Sequence, residues 1–375
     1  MTEYFKKQLD LLQTERNEDL RSYTELTEKA SVVDRRASGL AWYPVAIRNT
    51  EIGRGDYLTI ELERTTHTDI LHQFRTGALA ALFSNHDPKN RLEGTITYQS
   101  DKKLKLTLRT DELPDWADKG KLGVDLLFDN ASYDEMEAAL KSAAALAETG
   151  EGELIQILTG LKSPGFDVQS PALSIPKLNS SQQEAVNKIL SAQHLAVVHG
   201  PPGTGKTTTL VQAIKALAQR DKKQILVVAP SNAAVDLLSE KLADEGLNVL
   251  RVGNPARVSP RLAALTLDGK LAEHSQMKEV KKLKKQAAEF RNMAHKYKRN
   301  FGNAERDQRK ALFDESHKIL KDADKIEQFL MDDLFEKAQV ITATPVGANH
   351  YTVKNRKYET VIIDEAGQAL EPACW

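Results

Sequence analysis

The run Gly-Pro-Pro-Gly-Thr-Gly-Lys-Thr at residues 200–207 combines residue types that bind phosphate. It follows an apolar segment and opens a helical pattern, which is the context that a phosphate-binding loop requires. Glycines let backbone N–H groups turn inward around an anion, and the following helix N-terminus adds partial positive charge. The alternative is a glycine-rich turn that binds no ligand, and the complete pattern in this context argues against it. The residues predicted to bind nucleotide here are Gly200, Pro201, Pro202, Gly203, Thr204, Gly205, Lys206, Thr207 and Thr208.

Within this run, Lys206 is expected to reach the β- and γ-phosphates of ATP, and the Thr207 hydroxyl to bind Mg²⁺. A second group of polar residues follows the apolar run Val-Ile-Ile at 361–363. Asp364 emerges where a parallel strand would end, so we expect it to hold Mg²⁺, and Glu365 to polarise the attacking water. An Asp-Glu pair after an apolar strand is commonly only a solvated strand end. The pairing with the lysine loop makes Lys206, Asp364 and Glu365 the predicted catalytic residues.

Composition excludes several classes of protein. Hydrophobic residues make up 41% and charged residues 28%, which is typical of a globular chain and not of a disordered or membrane protein. Cys374 is the only cysteine, so we predict no disulfide framework, no cysteine metal site and a cytoplasmic location. Net charge is −1, yet residues 278–310 contain 12 Lys and Arg against 4 Asp and Glu. An anionic partner is therefore expected at this basic stripe, although a charged helical face is often merely solvated.

Periodicity divides the chain into helical, strand-rich and alternating regions. Strand-like alternation near residues 57–63, 92–98 and 104–108 predicts a small β-barrel between two helical segments. Beyond a proline-containing linker, apolar strands alternate with helices, which predicts a parallel sheet covered on both faces. The expected strands here are 195–199, 225–229, 249–252, 340–342 and 361–363. The predicted divisions are a stalk helix 1–38, a barrel 39–129, a second stalk helix 130–160, a linker 161–177 and a motor domain 178–375 with a helical insertion at about 258–337.

Six segments occur in the order found in superfamily 1 helicases, which the chain resembles. They are Leu178–Gln182, the phosphate loop, Ala229–Asp236, Arg251–Arg257, Thr342–Gly347 and Asp364–Gln368. The long separation between Lys206 and Asp364 favours this family over ring-forming AAA-type ATPases, which share the loop. The resemblance is greatest to the branch that contains the nonsense-decay helicase and the immunoglobulin-mu-switch-binding helicase. It implies an α/β fold, namely a RecA-like P-loop domain with a barrel on a helical stalk and a helical insertion.

The resemblance also implies residue roles. Gln182 is expected to read adenine and Gln368 to line the nucleotide site, although Asn179 and Gln182 also form a helix capping-box pattern. The residues expected to contact the nucleic-acid backbone are Ser231, Asn232, Thr342 and Thr344. For the first two, the alternative is a helix cap, and for the threonines it is an ordinary strand end. Four barrel aromatics could stack on bases or form core: Trp42, Tyr43, Tyr57 and Tyr98.

The predicted function is an ATP-dependent helicase or translocase that uses Mg²⁺ and binds single-stranded DNA or RNA. Movement from 5′ to 3′ is implied by the resemblance alone. Because no segment after Trp375 supplies a second RecA-like domain, we expect the N-terminal motor half of a helicase, nearly inactive alone. The alternatives are a nucleotide-gated single-strand binding module without unwinding and, less favoured, a ring-forming protein remodeller.

Overall fold

The structure is a computed structural model. It describes residues 3–27, 29–52, 57–75, 77–87, 89–108, 110, 112–118, 120–167, 172–253, 260–295, 303–349 and 351–375. The predicted positions that lie outside these ranges include 254–257 of the fourth motif, 296–300 of the basic stripe, 258–259 at the start of the predicted insertion and 168–171 of the linker.

The described elements combine α-helices with two separate β-structures, as the predicted mixed α/β class requires. The helices are α1 (Glu3–Leu26), α2 (Val32–Ala37), α3 (Asn130–Leu146), α4 (Glu153–Leu158), α5 (Ser180–Ser191), α6 (Lys206–Asp221), α7 (Asn232–Asp244), α8 (Leu267–Glu273), α9 (Met277–His295), α10 (Asn303–Lys337), α11 (Pro345–Ala348), α12 (Tyr351–Lys354) and α13 (Glu371–Cys374). The strands are β1 (Ala41–Ile52), β2 (Leu58–Arg64), β3 (Leu79–Ser84), β4 (Arg91–Gln99), β5 (Lys103–Leu108), β6 (Leu122–Leu126), β7 (Ile225–Val228), β8 (Val249–Arg251), β9 (Val340–Ala343) and β10 (Thr360–Ile363).

Strands β1–β6 close into an antiparallel barrel in the order β1-β2-β5-β4-β3-β6. The alternation seen in the sequence places every second side chain inside, so that Ile60, Leu62, Leu104 and Leu106 have no exposed surface. The barrel core also takes in Trp42 and Phe74. A small closed barrel is thus confirmed.

The stalk consists of α1 packed against α3, with Phe5 and Leu140 completely buried between them. The sequence predicted one helix to residue 38, but α1 ends at Leu26 and a separate α2 begins after Ser31. The Ser31 hydroxyl accepts a hydrogen bond from the N–H of Asp34 at 3.2 Å, which caps this new helix. Trp375 packs on the stalk at 5.1 Å from the Phe5 ring.

Strands β7–β10 form a parallel sheet in the order β10-β7-β9-β8. Alternate residues of each strand face opposite layers: Val227 packs with α5–α7, while Leu226 and Val228 pack against Phe335 of α10. Burial on both faces explains the continuous apolar runs.

One expected strand is not part of this sheet. Residues 195–199 form no β-ladder, and the side chain of Val197 is 82% exposed. The prediction of a buried strand here was wrong for the described state because an apolar run becomes a strand only when a neighbouring strand pairs with it. The outer edge of β10 likewise pairs with no other described strand, and Val361 is 54% exposed.

Candidate nucleotide site and nucleic-acid interface

The glycine-rich loop leads directly into α6, whose first residue is Lys206. Gly203 and Gly205 both have a φ of 82°, which is a left-handed conformation that residues with a Cβ rarely adopt. At Gly205 a Cβ would also lie 2.5 Å from Nε2 of Gln182. Glycine is therefore required here by backbone conformation and by close packing, and the loop turns its backbone toward the α6 N-terminus.

The Lys206 side chain folds back over its own loop. Its Nζ donates hydrogen bonds to the carbonyl oxygen of Gly200 at 2.7 Å and to that of Pro201 at 3.4 Å. Both partners are main-chain carbonyls, and no carboxylate within the described ranges forms an ion pair with this ammonium. A cation kept at a helix N-terminus in this way can bind a phosphate group.

Gln182 joins the start of α5 to the loop. Its N–H donates to Asn179 Oδ1 at 2.9 Å and its Oε1 accepts from the Asn179 N–H at 3.2 Å, a reciprocal capping box. Its Nε2 donates to the carbonyl oxygen of Thr204 at 3.1 Å. The capping alternative is therefore realised, and the same side chain braces the loop. Adenine reading by Gln182 stays a prediction.

Asp364 lies at the carboxyl end of β10, where its N–H donates to the carbonyl oxygen of Val228 at 2.9 Å. Its Oδ1 accepts the N–H of Glu365 at 3.0 Å. Burial raises the pKa of Asp364, while this N–H and the positive charge of Lys206 act in the opposite direction. Among the described residues Asp364 has no ion-pair partner, so its half-buried carboxylate is suited to a bound cation.

Glu365 is exposed and adopts a left-handed φ of 50°. Its Oε2 accepts a hydrogen bond from Nε2 of Gln368 at 3.0 Å, and its carbonyl oxygen accepts the N–H of the same residue at 2.8 Å. Gln368 thus orients the Glu365 carboxylate, and its place in the nucleotide site stays a prediction. A non-glycine residue at positive φ is strained, and such positions are common at functional sites.

The oxygen ligands predicted for Mg²⁺ come from different elements. The Thr207 hydroxyl is on the first turn of α6, and the Asp364 carboxylate is at the end of β10. Magnesium prefers hard oxygen ligands and is usually held by one or two protein groups together with phosphates and water. The half-buried Asp364 carboxylate, which has no ion-pair partner in the part of the chain that the structure describes, fits such an ion.

Two of the four predicted nucleic-acid contacts are helix caps at neighbouring strand ends. The Ser231 hydroxyl, after β7, accepts the N–H of Ala234 at 3.1 Å. The Thr344 hydroxyl, after β9, accepts the N–H of Gly347 at 3.1 Å. Because β7 and β9 are adjacent, the two caps lie at one edge of the sheet. The capping alternative is observed for Ser231, and the Thr344 hydroxyl also has a local partner.

Thr342 requires a correction. It lies inside β9, is completely buried, and its hydroxyl shares a 2.7 Å hydrogen bond with the Ser239 hydroxyl of α7. The motif predicted a strand-end position, but the strand continues to Ala343, so Thr342 faces α7 and not the sheet edge. From this buried position Thr342 cannot contact a bound nucleic acid.

Asn232 is the first residue of α7 and is partly exposed. Its Oδ1 accepts a hydrogen bond from Nη2 of Arg251 at 2.8 Å. Arg251 was not among the predicted site residues, although a charged residue within the apolar run 249–252 was a usable signal.

The four barrel aromatics, which could stack on bases or form core, differ in how much of each side chain is exposed. Trp42 is 1% exposed and belongs to the barrel core, so the core alternative holds for it. Tyr43 is partly buried and stacks on Phe83 with ring centroids 6.1 Å apart. Tyr57 and Tyr98 are exposed by 46% and 42%, and base stacking by them stays a prediction.

The basic stripe is only partly available to an anion. On α9, Lys281, Lys282 and Lys285 are exposed. Lys284 instead donates to Glu327 of α10 at 2.7 Å. This pair joins α9 to α10. Three of the four lysines between residues 281 and 285 are therefore exposed and placed to meet an anion.

Comparison with known proteins places the chain in a family. A family model described as an AAA domain matches residues 177–375, more than half of the chain. The chain therefore belongs to this AAA domain family. That description does not by itself separate helicases from ring-forming ATPases, so the individual relatives are informative.

The relatives are DNA-binding and helicase proteins. Mouse DNA-binding protein SMUBP-2 is 28% identical over 99% of this chain and 38% of its own length. DNA polymerase alpha-associated DNA helicase A of Schizosaccharomyces pombe is 28% identical over 76% of this chain and 43% of its own length. ATP-dependent helicase NAM7 of Saccharomyces cerevisiae is 34% identical over 67% of this chain and 24% of its own length. The predicted resemblance to superfamily 1 helicases is confirmed, and the chain spans less than half of each of these relatives.

One further property of the helices concerns membranes. Within the described ranges, no helix combines the length and the apolar character needed to cross a bilayer.

Proposed function

We propose that this chain is the nucleotide-binding and strand-contacting part of an ATP-dependent helicase or translocase with a RecA-like motor domain. One arrangement carries the proposal: Lys206 opens α6 directly after the glycine-rich loop, and Asp364 follows β10 in a parallel sheet whose carboxyl edge also presents Ser231 and Thr344. Ligands of open α/β sheets bind at that edge. The names of the relatives agree with this reading. A cytoplasmic location is proposed only from the single cysteine.

The nucleotide would bind with its phosphates at the loop and the α6 N-terminus. In that complex the Lys206 ammonium exchanges its contacts with the carbonyls of Gly200 and Pro201 for phosphate oxygens, which accept stronger, charge-assisted hydrogen bonds. Thr207 and Asp364 would hold Mg²⁺, which neutralises phosphate charge when bound. Glu365, oriented by Gln368, would accept a proton from the attacking water or orient it.

The nucleic acid would be a single strand of DNA or RNA along the edge formed by the α7 and α11 N-termini. Ser231, Asn232 and Thr344 are placed to contact its backbone, and the exposed lysines of α9 are a second candidate surface for its phosphates. Movement from 5′ to 3′ is proposed from the family resemblance alone.

The direct test is titration of the purified chain with ATP and Mg²⁺ by calorimetry, and of a labelled oligothymidylate or oligouridylate by fluorescence anisotropy. Nucleotide binding that requires Lys206, together with strand binding that changes with nucleotide, is the expected result. Absence of both would refute the proposal. The alternative of a clamp without unwinding predicts strand binding that changes with nucleotide but no displacement of a strand from a duplex, whereas a helicase should displace the strand in a reaction that requires Glu365.

The α9 surface can be tested with a matched control. Changing Lys281, Lys282 and Lys285 to Glu should weaken strand binding and flatten its salt dependence by about 0.7 in log–log slope per lost phosphate contact. Lys284→Glu opposes a like charge to Glu327 instead, so it should lower thermal stability more than it changes the salt slope. An unchanged slope in the triple variant would return α9 to the role of a solvated helix.

A further inference from the structure

Arg251 is a charged side chain with no exposed surface, at the last position of β8. A buried guanidinium is costly unless its donors are paired. Its Nε donates to Asp236 Oδ1 at 3.0 Å, its Nη2 to Asn232 Oδ1 at 2.8 Å, and its Nη1 to the carbonyl oxygen of Val252. Two of these three partners belong to the first turns of α7, and one of them is a residue proposed to contact nucleic acid.

The backbone beside Arg251 is adapted to this arrangement. Gly253 has a φ of 152°, and a Cβ there would lie 2.6 Å from Nη1 of Arg251. The guanidinium therefore occupies space that only a glycine leaves free. The short motif Arg-Val-Gly at 251–253 is explained by this packing.

The chemistry of arginine decides which way the Asn232 amide points. A guanidinium only donates hydrogen bonds, so the amide atom facing Arg251 must be the oxygen, Oδ1. The two N–H donors of Nδ2 are then directed away from the guanidinium, and they donate no hydrogen bond within the described part of the chain. Asn232 is partly exposed, so these donors are open to an acceptor such as a phosphate oxygen.

We propose that Arg251 is a positioning residue that locks the Asn232 amide with its donor end toward the phosphate backbone of the bound strand. Asp236 accepts from the neighbouring Nε of the same guanidinium, which ties Arg251 to α7. The inference rests on the proposed function, since it assigns a role within the same nucleic-acid interface. Arg251 itself touches no nucleic acid.

The first variants test the orientation of the amide. Asn232→Ala should weaken binding of a labelled oligothymidylate about tenfold, the effect of losing one hydrogen bond to a charged group. Asn232→Asp keeps an acceptor for Arg251 but turns a negative oxygen toward the phosphate. It should therefore fold at least as stably as the parent chain and bind more weakly than Asn232→Ala. Binding by Asn232→Asp equal to that of the parent would overturn the proposal.

A double-mutant cycle tests the action of Arg251 through Asn232. In Arg251→Lys the ammonium can remain near Asp236 but cannot serve the carboxylate and the amide together as the planar fork does. Arg251→Lys should weaken strand binding in the parent chain. It should have no further effect on binding in the Asn232→Ala background, although it lowers thermal stability in both.

A purely structural role for Arg251 predicts a different cycle, in which Arg251→Lys weakens binding equally in both backgrounds. That result would overturn the inference. If Arg251→Lys does not fold, Gly253→Ala replaces it in the cycle, since its Cβ displaces the guanidinium without removing its charge. Failure of the parent chain to bind the strand would refute the proposed function, whereas binding by the parent with unchanged affinity in Asn232→Ala would refute only the positioning role.

Discussion

The barrel and the parallel sheet solve the problem of strand edges in opposite ways. Every barrel strand pairs on both sides, and inward leucines such as Leu62, Leu104 and Leu106 have no exposed surface. The parallel sheet ends at β10, whose outer edge has no described partner, and Val361 of this strand is 54% exposed. Closure removes edges, and an open sheet keeps them.

The barrel and the sheet also differ in how their charged groups are paired. The one buried carboxylate of the barrel strands, Asp125, is paired with Arg35 at 3.1 Å and Arg91 at 2.8 Å. At the carboxyl edge of the sheet, Asp364 has no ion-pair partner among the described residues and Lys206 has only carbonyl partners. Groups left partly unsatisfied in this way can exchange their contacts for a ligand, whereas the Asp125 carboxylate is already neutralised by two arginines.

The largest expected effect is a change of core volume in the barrel. Leu104→Ala should lower the free energy of unfolding by about 2–5 kcal/mol, because a fully buried leucine leaves a cavity. Val361→Ala at the open edge should cost less than about 1 kcal/mol, since half of that side chain is already in water. Chemical denaturation of both variants measures the contrast, and equal costs would contradict the closed and open description.

Lys206→Ala tests the phosphate loop. Loss of a charge-assisted contact of about 1.5–3 kcal/mol should weaken ATP binding by roughly ten- to a hundredfold or more. Thermal stability should stay near that of the parent chain, because the Lys206 ammonium contacts only two carbonyls of its own loop. Calorimetry and a melting curve on the same sample check both parts, and unchanged ATP affinity would exclude the loop as the phosphate site.

Asp364→Asn should have effects of opposite sign on binding and stability. Because burial raises the pKa of Asp364, ionisation costs folding free energy, and unfolding becomes easier as pH rises through that pKa. The amide removes this cost, so stability at neutral pH should rise slightly while Mg²⁺-dependent ATP affinity falls about tenfold. Glu365→Gln is the control, because a group that acts on the attacking water should leave ATP affinity intact and slow only hydrolysis. Equal Mg²⁺ dependence in Asp364→Asn and the parent would rule out Asp364 as a ligand.

The smallest expected effect concerns Glu245, which forms ion pairs with two lysines. Hydrogen bonds from Lys215 and Lys177 lower the pKa of Glu245 to about 2. A depressed folded-state pKa adds stability above the ordinary value near 4.5, and that stability is lost as pH falls toward 2. Glu245→Gln should therefore cost about 1 kcal/mol at pH 7 and almost nothing at pH 2. The free energies of unfolding of the parent and of Glu245→Gln, measured from pH 7 to pH 2, should converge. A difference that does not change with pH would show that the carboxylate charge does not cause the loss of stability.

Short-range patterns carried most of what could be predicted. The capping box at Asn179, the loop with Lys206, and alternation in β2 and β5 depend on neighbours a few residues away, so the sequence alone reveals them. The break between α1 and α2 was missed because charged helical spacing continues across it. The strand predicted at 195–199 was wrong, because strand formation depends on a pairing partner that the local sequence does not reveal.

The site residues show the same division. The types and order of Lys206, Asp364 and Glu365 were readable because phosphate and metal chemistry restricts which side chains can serve. The burial of Thr342, the bond from Gln182 to Thr204, and the lock of Arg251 on Asn232 were not readable. Each of these features depends on contacts between residues that are separated in the chain, and only the packing of helices on the sheet brings those residues together. The sequence by itself therefore determined which residues can carry the proposed chemistry, and the tertiary structure decided which partners their polar groups have.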